Sequence, residues 1–155
     1  MIMNSARLTS LVVALVVAGS RAASWPQSPV AQSPSTAQLV VHVTGLGSSK
    51  APVRIAVYNS EKTWLQLPSA RYITILDIES GQVDWTIEDV AAGEYAVAAF
   101  QDRNGDGELD RNFLGMPKEP YGFSNDARGI FGPASWTDAK VRVIAPMTET
   151  TIELQ

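Results

Sequence analysis

The chain has 155 residues, 45% of them hydrophobic and 18% charged, with 11 Gly, 9 Pro and no Cys. That composition is globular rather than fibrous, the length suits one core and not two, and the absence of Cys excludes disulfides and thiolate-bound zinc. The formal charge of −4 argues against nucleic acid or an anionic membrane surface as partner, because both are held by clustered Lys and Arg.

Residues 1–23 read as a secretory signal peptide. Arg7 supplies a positive start, 11–18 is a short apolar run, and Ser20, Ala22 and Ala23 place small residues around a cleavage point after Ala22 or Ala23. The run is far below the roughly 20 residues that span a bilayer, so no membrane insertion is expected after cleavage. With Arg7 and Arg21 gone, the 12 basic residues become 10 against 16 acidic ones, and the exported domain, periplasmic or extracellular, carries −6. Residues 24–37 (SWPQSPVAQSPSTA) have the composition of a disordered tether.

From Gln38 the pattern becomes period two. Leu39, Val41 and Val43 share one face and His42 and Thr44 the other, which predicts a first strand ending at Gly45. Val53, Ile55 and Val57 predict a second. Residues 61–71, with Trp64, Leu65 and Leu67 ahead of Pro68, are either a long loop or one helical turn. Residues 72–78 and the alternation Val83, Trp85, Ile87 predict strands three and four. The run from Tyr95 to Phe100 is apolar on both faces and so predicts a central strand. After a polar, Gly-rich region from 101 to 137, Val141 with Val143 and Ile152 with Leu154 mark two closing strands. About seven short strands separated by turns, spanning 38–155, describe a single all-β sandwich.

The sequence DRNGDGELD at 102–110 puts oxygen side chains at loop positions 1, 3, 5 and 9, with Gly at 6 and an apolar residue at 8. This is most of an EF-hand calcium loop. Calcium takes six to eight oxygens, and alternate residues of a tightly wound loop can aim theirs inward where a Gly allows the turn. Asp102, Asn104 and Asp106 are expected to ligate by side chain, Glu108 by its carbonyl, and Asp110 directly or through water. Phe113 stands where the bidentate Glu belongs, so Asp110, Glu119, Asp126 or water must complete the set. The alternative is a solvated turn whose Asp and Asn side chains satisfy their own backbone.

The motifs GEYAV at 93–97, DRNGDGELD at 102–110, LGMPKEPYGFSN at 114–125 and FGP at 131–133 resemble a family of exported bacterial proteins catalogued as domain of unknown function 2141. The resemblance implies a signal peptide followed by one immunoglobulin-like or transthyretin-like sandwich, and it implies no activity. Gln101 stands where that family often has His, which removes an imidazole from beside the loop.

Lys118, Glu119, Tyr121, Ser124 and Asn125 concentrate polar groups in one Gly- and Pro-punctuated segment, and loops on a rigid sandwich commonly carry binding groups. A ligand site there competes with simple packing of Phe113, Leu114, Met116, Tyr121 and Phe123 over an open sandwich end. Ser124 lacks the Gly-x-Ser-x-Gly setting of a nucleophile, and His42, the only His, lies in the first strand. Trp64, Trp85 and Trp136 are candidates for a sugar platform, but Trp85 alternates with core residues and is expected to be buried. The sequence therefore describes an exported non-catalytic module, stabilised by calcium, that binds a small molecule, glycan or envelope protein through residues 101–137. A calcium-assisted hydrolase using Lys118, Glu119 and Tyr121, or a purely structural envelope protein, are the competing readings.

Overall fold

The computed structural model describes residues 36–155. The predicted signal peptide and residues 24–35 of the predicted tether lie outside them. The described residues form eight strands: β1 (Thr36–Thr44), β2 (Val53–Tyr58), β3 (Tyr72–Leu76), β4 (Val83–Ala91), β5 (Gly93–Gln101), β6 (Tyr121–Phe123), β7 (Lys140–Val143) and β8 (Met147–Glu153). One sheet runs β4-β1-β8, and the other runs β3-β2-β5-β6 with β7 also on β5. The architecture is the expected all-β sandwich.

β1 begins at Thr36, two residues ahead of the predicted start, because Ala37 pairs with Val90 and is buried in the core. β1 is antiparallel to β4 and parallel to β8, so the last strand returns beside the first. The period-two pattern decides which side chains face inward. Leu39, Val41 and Val43 of β1, Val53, Ile55 and Val57 of β2, Val97 and Ala99 of β5, Val143 and Ile152 are all buried between the sheets. Each fully buried Val, Leu or Ile contributes about 1.5–3 kcal/mol through apolar area removed from water. Trp85 is only half-buried and packs against the edge of this core.

β5 is central, as its two apolar faces predict. One edge pairs with β2, and the other is shared: β7 takes residues 93–96 and β6 takes 98–100. The segment between β6 and β7 must therefore swing out over the sheet's outer face, and it carries the four-residue helix α1 (Trp136–Ala139), capped by the Ser135 hydroxyl. Residues 61–71 resolve as two short 3₁₀ turns, Glu61–Thr63 and Leu67–Ser69, rather than one helical turn. Trp64, Trp136, Tyr58 and Phe123 meet on this outer face, with Trp64 and Trp136 ring centres 6.0 Å apart and the Trp64 indole N–H donating to the Ala134 carbonyl at 2.9 Å. Trp85 belongs to the other sheet, so the three indoles do not share a platform.

Candidate functional site

The aspartate loop leaves β5 directly. Asp102 is 1% exposed. Its carboxylate accepts from Arg54 Nε at 2.7 Å, from the Gly105 amide at 2.7 Å and from the Gly107 amide at 3.0 Å. Burial pushes the Asp102 carboxyl up, but the Arg54 guanidinium and the two amides outweigh it and hold the group below the ordinary carboxylate range. Gly107 has a φ of +86°, and a Cβ there would meet Arg54 Nη2 at 3.1 Å. Glycine is thus what lets the guanidinium lie against the loop.

Further round, Asn104 Oδ1 accepts from the Asp106 amide and Asp106 Oδ1 from the Glu108 amide, as Asx turns do. The Asn104 side-chain amide donates to Asp106 Oδ2 at 2.7 Å and to Asp110 Oδ2 at 3.3 Å. Two carboxylates therefore converge on one electropositive group. Among the described residues no three Asp, Glu, His or Cys side chains gather closely enough to hold a metal ion. In this arrangement both oxygens of Asp102 accept hydrogen bonds from the protein, Oδ2 from Arg54 and Gly107 and Oδ1 from Gly105.

Glu119 does fold back onto the loop. It is 6% exposed, and its carboxylate accepts from the Arg103 amide at 2.6 Å and the Asp110 amide at 3.3 Å, clasping both ends. Asp126 does not reach the loop: its carboxylate accepts from the Glu153 amide. Ser124 is fully buried, its hydroxyl accepting from the Val97 amide at 2.9 Å and donating to the Ala139 carbonyl. Asn125, at a φ of 60°, donates to the Asp138 and Lys140 carbonyls. Both tie the excursion between β6 and β7 to the sheet. Lys118 is exposed, its backbone amide donating to the Asp110 carbonyl. Tyr121 is half-buried on β6, edge-on to Phe123. His42 lies on the other sheet, 2.7 Å from Asp84, so it does not meet Ser124.

The expected packing of Phe113, Leu114 and Met116 does not occur; all three are exposed, Phe113 by 95%. The reason is local. Asn112 accepts from the Leu114 and Met116 amides, Arg111 bridges Pro117, and the Arg111 guanidinium donates to the Gly115 carbonyl. These bonds close residues 110–118 into a narrow arm that holds its tip off the sandwich.

That arm forms one wall of a cleft of about 760 Å³. The floor is the outer face of the β3-β2-β5-β6 sheet. Register places Ile73, Ala56, Ala98 and Phe123 in one cross-strand row and Ile75, Arg54, Phe100 and Tyr121 in the next. Ala56 and Ala98 are partners, so the middle of the floor is hollow. Leu65, Leu67 and Pro68 form a second wall and residues 129–133 a third, with Ile130 90% and Phe131 102% exposed at the rim. Tyr121 is the only ligand candidate from the sequence that lines this cleft. Arg54, Ala56, Ala98, Ile73 and Phe131 were not singled out for it. The available signal was the small Ala side chains at 56 and 98, each two residues from a larger side chain on the same strand face, Tyr58 and Phe100.

Among the described residues no helix is long and apolar enough to cross a membrane. Comparison with curated proteins and with solved structures found no match. The family model described as "Uncharacterized protein conserved in bacteria (DUF2141)" matches residues 41–152, a span that includes the aspartate loop and every residue lining the cleft, and the chain belongs to that family.

Proposed function

We propose that the chain is an exported, non-catalytic module that holds an apolar small molecule in the cleft on the outer face of the β3-β2-β5-β6 sheet, with calcium stabilising the loop behind one wall. The observation that carries the binding role is the floor, where Ala56 faces Ala98 across the strands and leaves a hollow rimmed by exposed Leu114, Met116, Ile130 and Phe131. Its volume of about 760 Å³ suits a ligand pocket, and clustered exposed apolar groups mark interaction sites. Export is supported by the signal-peptide pattern of residues 1–23.

The neutral apolar dye N-phenyl-1-naphthylamine tests the cleft. It is expected to bind the wild type saturably, and Ala98→Phe, which fills the hollow from the floor, is expected to weaken binding at least about tenfold with little change in melting temperature. Absence of saturable binding, or binding unaffected by Ala98→Phe, would overturn the reading.

Calcium is supported by the oxygen side chains at 102, 104, 106 and 110 and by the convergence of Asp106 and Asp110 on one amide. Asp106, Asp110 and Asn104, its amide turned to present oxygen, would hold the ion with the Glu108 carbonyl. Asp102 would join only by sharing its carboxylate with Arg54. The ion would neutralise the converging acids and rigidify the loop. Calcium at a hundredfold excess over its Kd is expected to stabilise the wild type by about 2.7 kcal/mol, and Asp106→Ala or Asp110→Ala to abolish the shift in melting. A wild type whose melting ignores calcium would leave a turn held by its own hydrogen bonds.

A further inference from the structure

Arg54 faces two ways. Its Nε donates to the buried Asp102 just past the end of β5, whereas its Nη1 and Nη2 groups have no acceptor among the described residues, and the side chain lines the cleft. The guanidinium is seated rather than free-swinging. Asp102 fixes one edge, and the backbone of Gly107 lies against it, close enough that a Cβ would meet Nη2 at 3.1 Å and Nη1 at 3.5 Å. A preorganised fork of this kind matches a carboxylate, taking one oxygen on each nitrogen. Arg54 also stands at a defined place along the floor. Its row, with Ile75 and Phe100, is two residues from the row of Ile73, Ala56 and Ala98, a separation of about 7 Å along the strands. A head group on Arg54 therefore leaves the body of the same molecule over the hollow. Arg111, in the arm that forms the neighbouring wall, adds a second positive charge to the lining against the single acid Glu108.

From this juxtaposition we infer that the cleft selects an amphipathic carboxylate, its head held end-on by Arg54 Nη1 and Nη2 and its apolar body lying over Ala56 and Ala98. The inference rests on the cleft being a binding site and adds the chemical class of the ligand. The chain's net charge of −4 opposes the approach of an anion at long range. That repulsion is screened beyond about 8 Å at physiological salt, so recognition comes from contact with the fork and not from steering.

The experiment is displacement of N-phenyl-1-naphthylamine by decanoate, 1-decanol and decyltrimethylammonium, which share an apolar chain and differ in head charge. Decanoate is expected to displace the dye from the wild type at a concentration lower than decanol by at least about tenfold, with the cation weakest. Arg54→Gln paired with Asp102→Asn removes both charges together and leaves no buried carboxylate unpaired. In that double variant decanoate and decanol are expected to compete within about twofold of each other. Arg54→Lys keeps the charge but loses the fork, and is expected to retain only part of the preference. Equal displacement by decanoate and decanol in the wild type, or a preference that survives in the double variant, would overturn the carboxylate while leaving the cleft intact. Failure of all three to displace bound dye would overturn the carboxylate and place the dye elsewhere. Failure of the dye itself to bind would sink both readings.

Discussion

Asp102 has a full set of partners without any metal, and this changes what its substitution should do. The loop spacing alone suggests that Asp102→Ala lowers stability only when calcium is present. Three hydrogen bonds, one of them to Arg54, instead make the carboxylate part of the fold. Asp102→Asn is expected to lower stability by about 1.5–3 kcal/mol in calcium and in chelator alike, whereas Asp106→Ala, which gives up only two exposed hydrogen bonds, is expected to cost clearly more in calcium than in chelator; parallel thermal melts separate the two. Because the folded carboxyl titrates below the ordinary range, its contribution is complete above the unfolded value of about 3.9 and is lost as pH falls through the lower folded value. Wild-type melting should thus drop more steeply than that of Asp102→Asn under acid conditions. The candidate loop was legible in the sequence because its oxygen positions are local. Arg54 was not, because 48 residues separate it from Asp102 and only the antiparallel register of β2 with β5 brings them together.

At the scale of elements, the strands of the core were readable because each alternates over four or more residues. β6 was not. It has three residues, lies in a Gly- and Pro-rich stretch, and owes its existence to pairing on both sides: Ala98, Ala99 and Phe100 on one, and the Gln155 backbone on the other, with Tyr121 and Gln155 exchanging amide bonds at 3.2 and 3.1 Å. Gly122 sits where this strand presses on β8. A Cβ there would lie 2.6 Å from Ile152 Cγ2 and 2.8 Å from the Glu153 carbonyl oxygen. Gly122→Ala is therefore expected to cost about 1–3 kcal/mol, seen as a lower urea midpoint and as faster hydrogen exchange at Tyr121 and Gln155. Ser124, next along, satisfies buried backbone groups of Val97 and Ala139. Its polarity belongs to that bracing, which the sequence could not separate from a binding role.

For the whole molecule, one sheet face carries the core and the opposite face of the five-stranded sheet carries a second apolar cluster that stops short of the arm at 110–118. The sequence correctly made β5 central from its two apolar faces, but it could not show that the outer covering is incomplete. That depends on where the excursions from β2 and β6 land, which is a tertiary matter. The cleft is the space left between those excursions and the arm, lined at its floor by Ala56 and Ala98, and methyl NMR of selectively labelled protein reads it directly. On titration with N-phenyl-1-naphthylamine, the account predicts saturable shifts of the Ala56, Ala98, Ile73, Met116 and Ile130 methyls, with Val41, Val97 and Ile152 between the sheets unmoved. Shifts confined to the inter-sheet methyls, or no saturable change at Ala56 and Ala98, would contradict it.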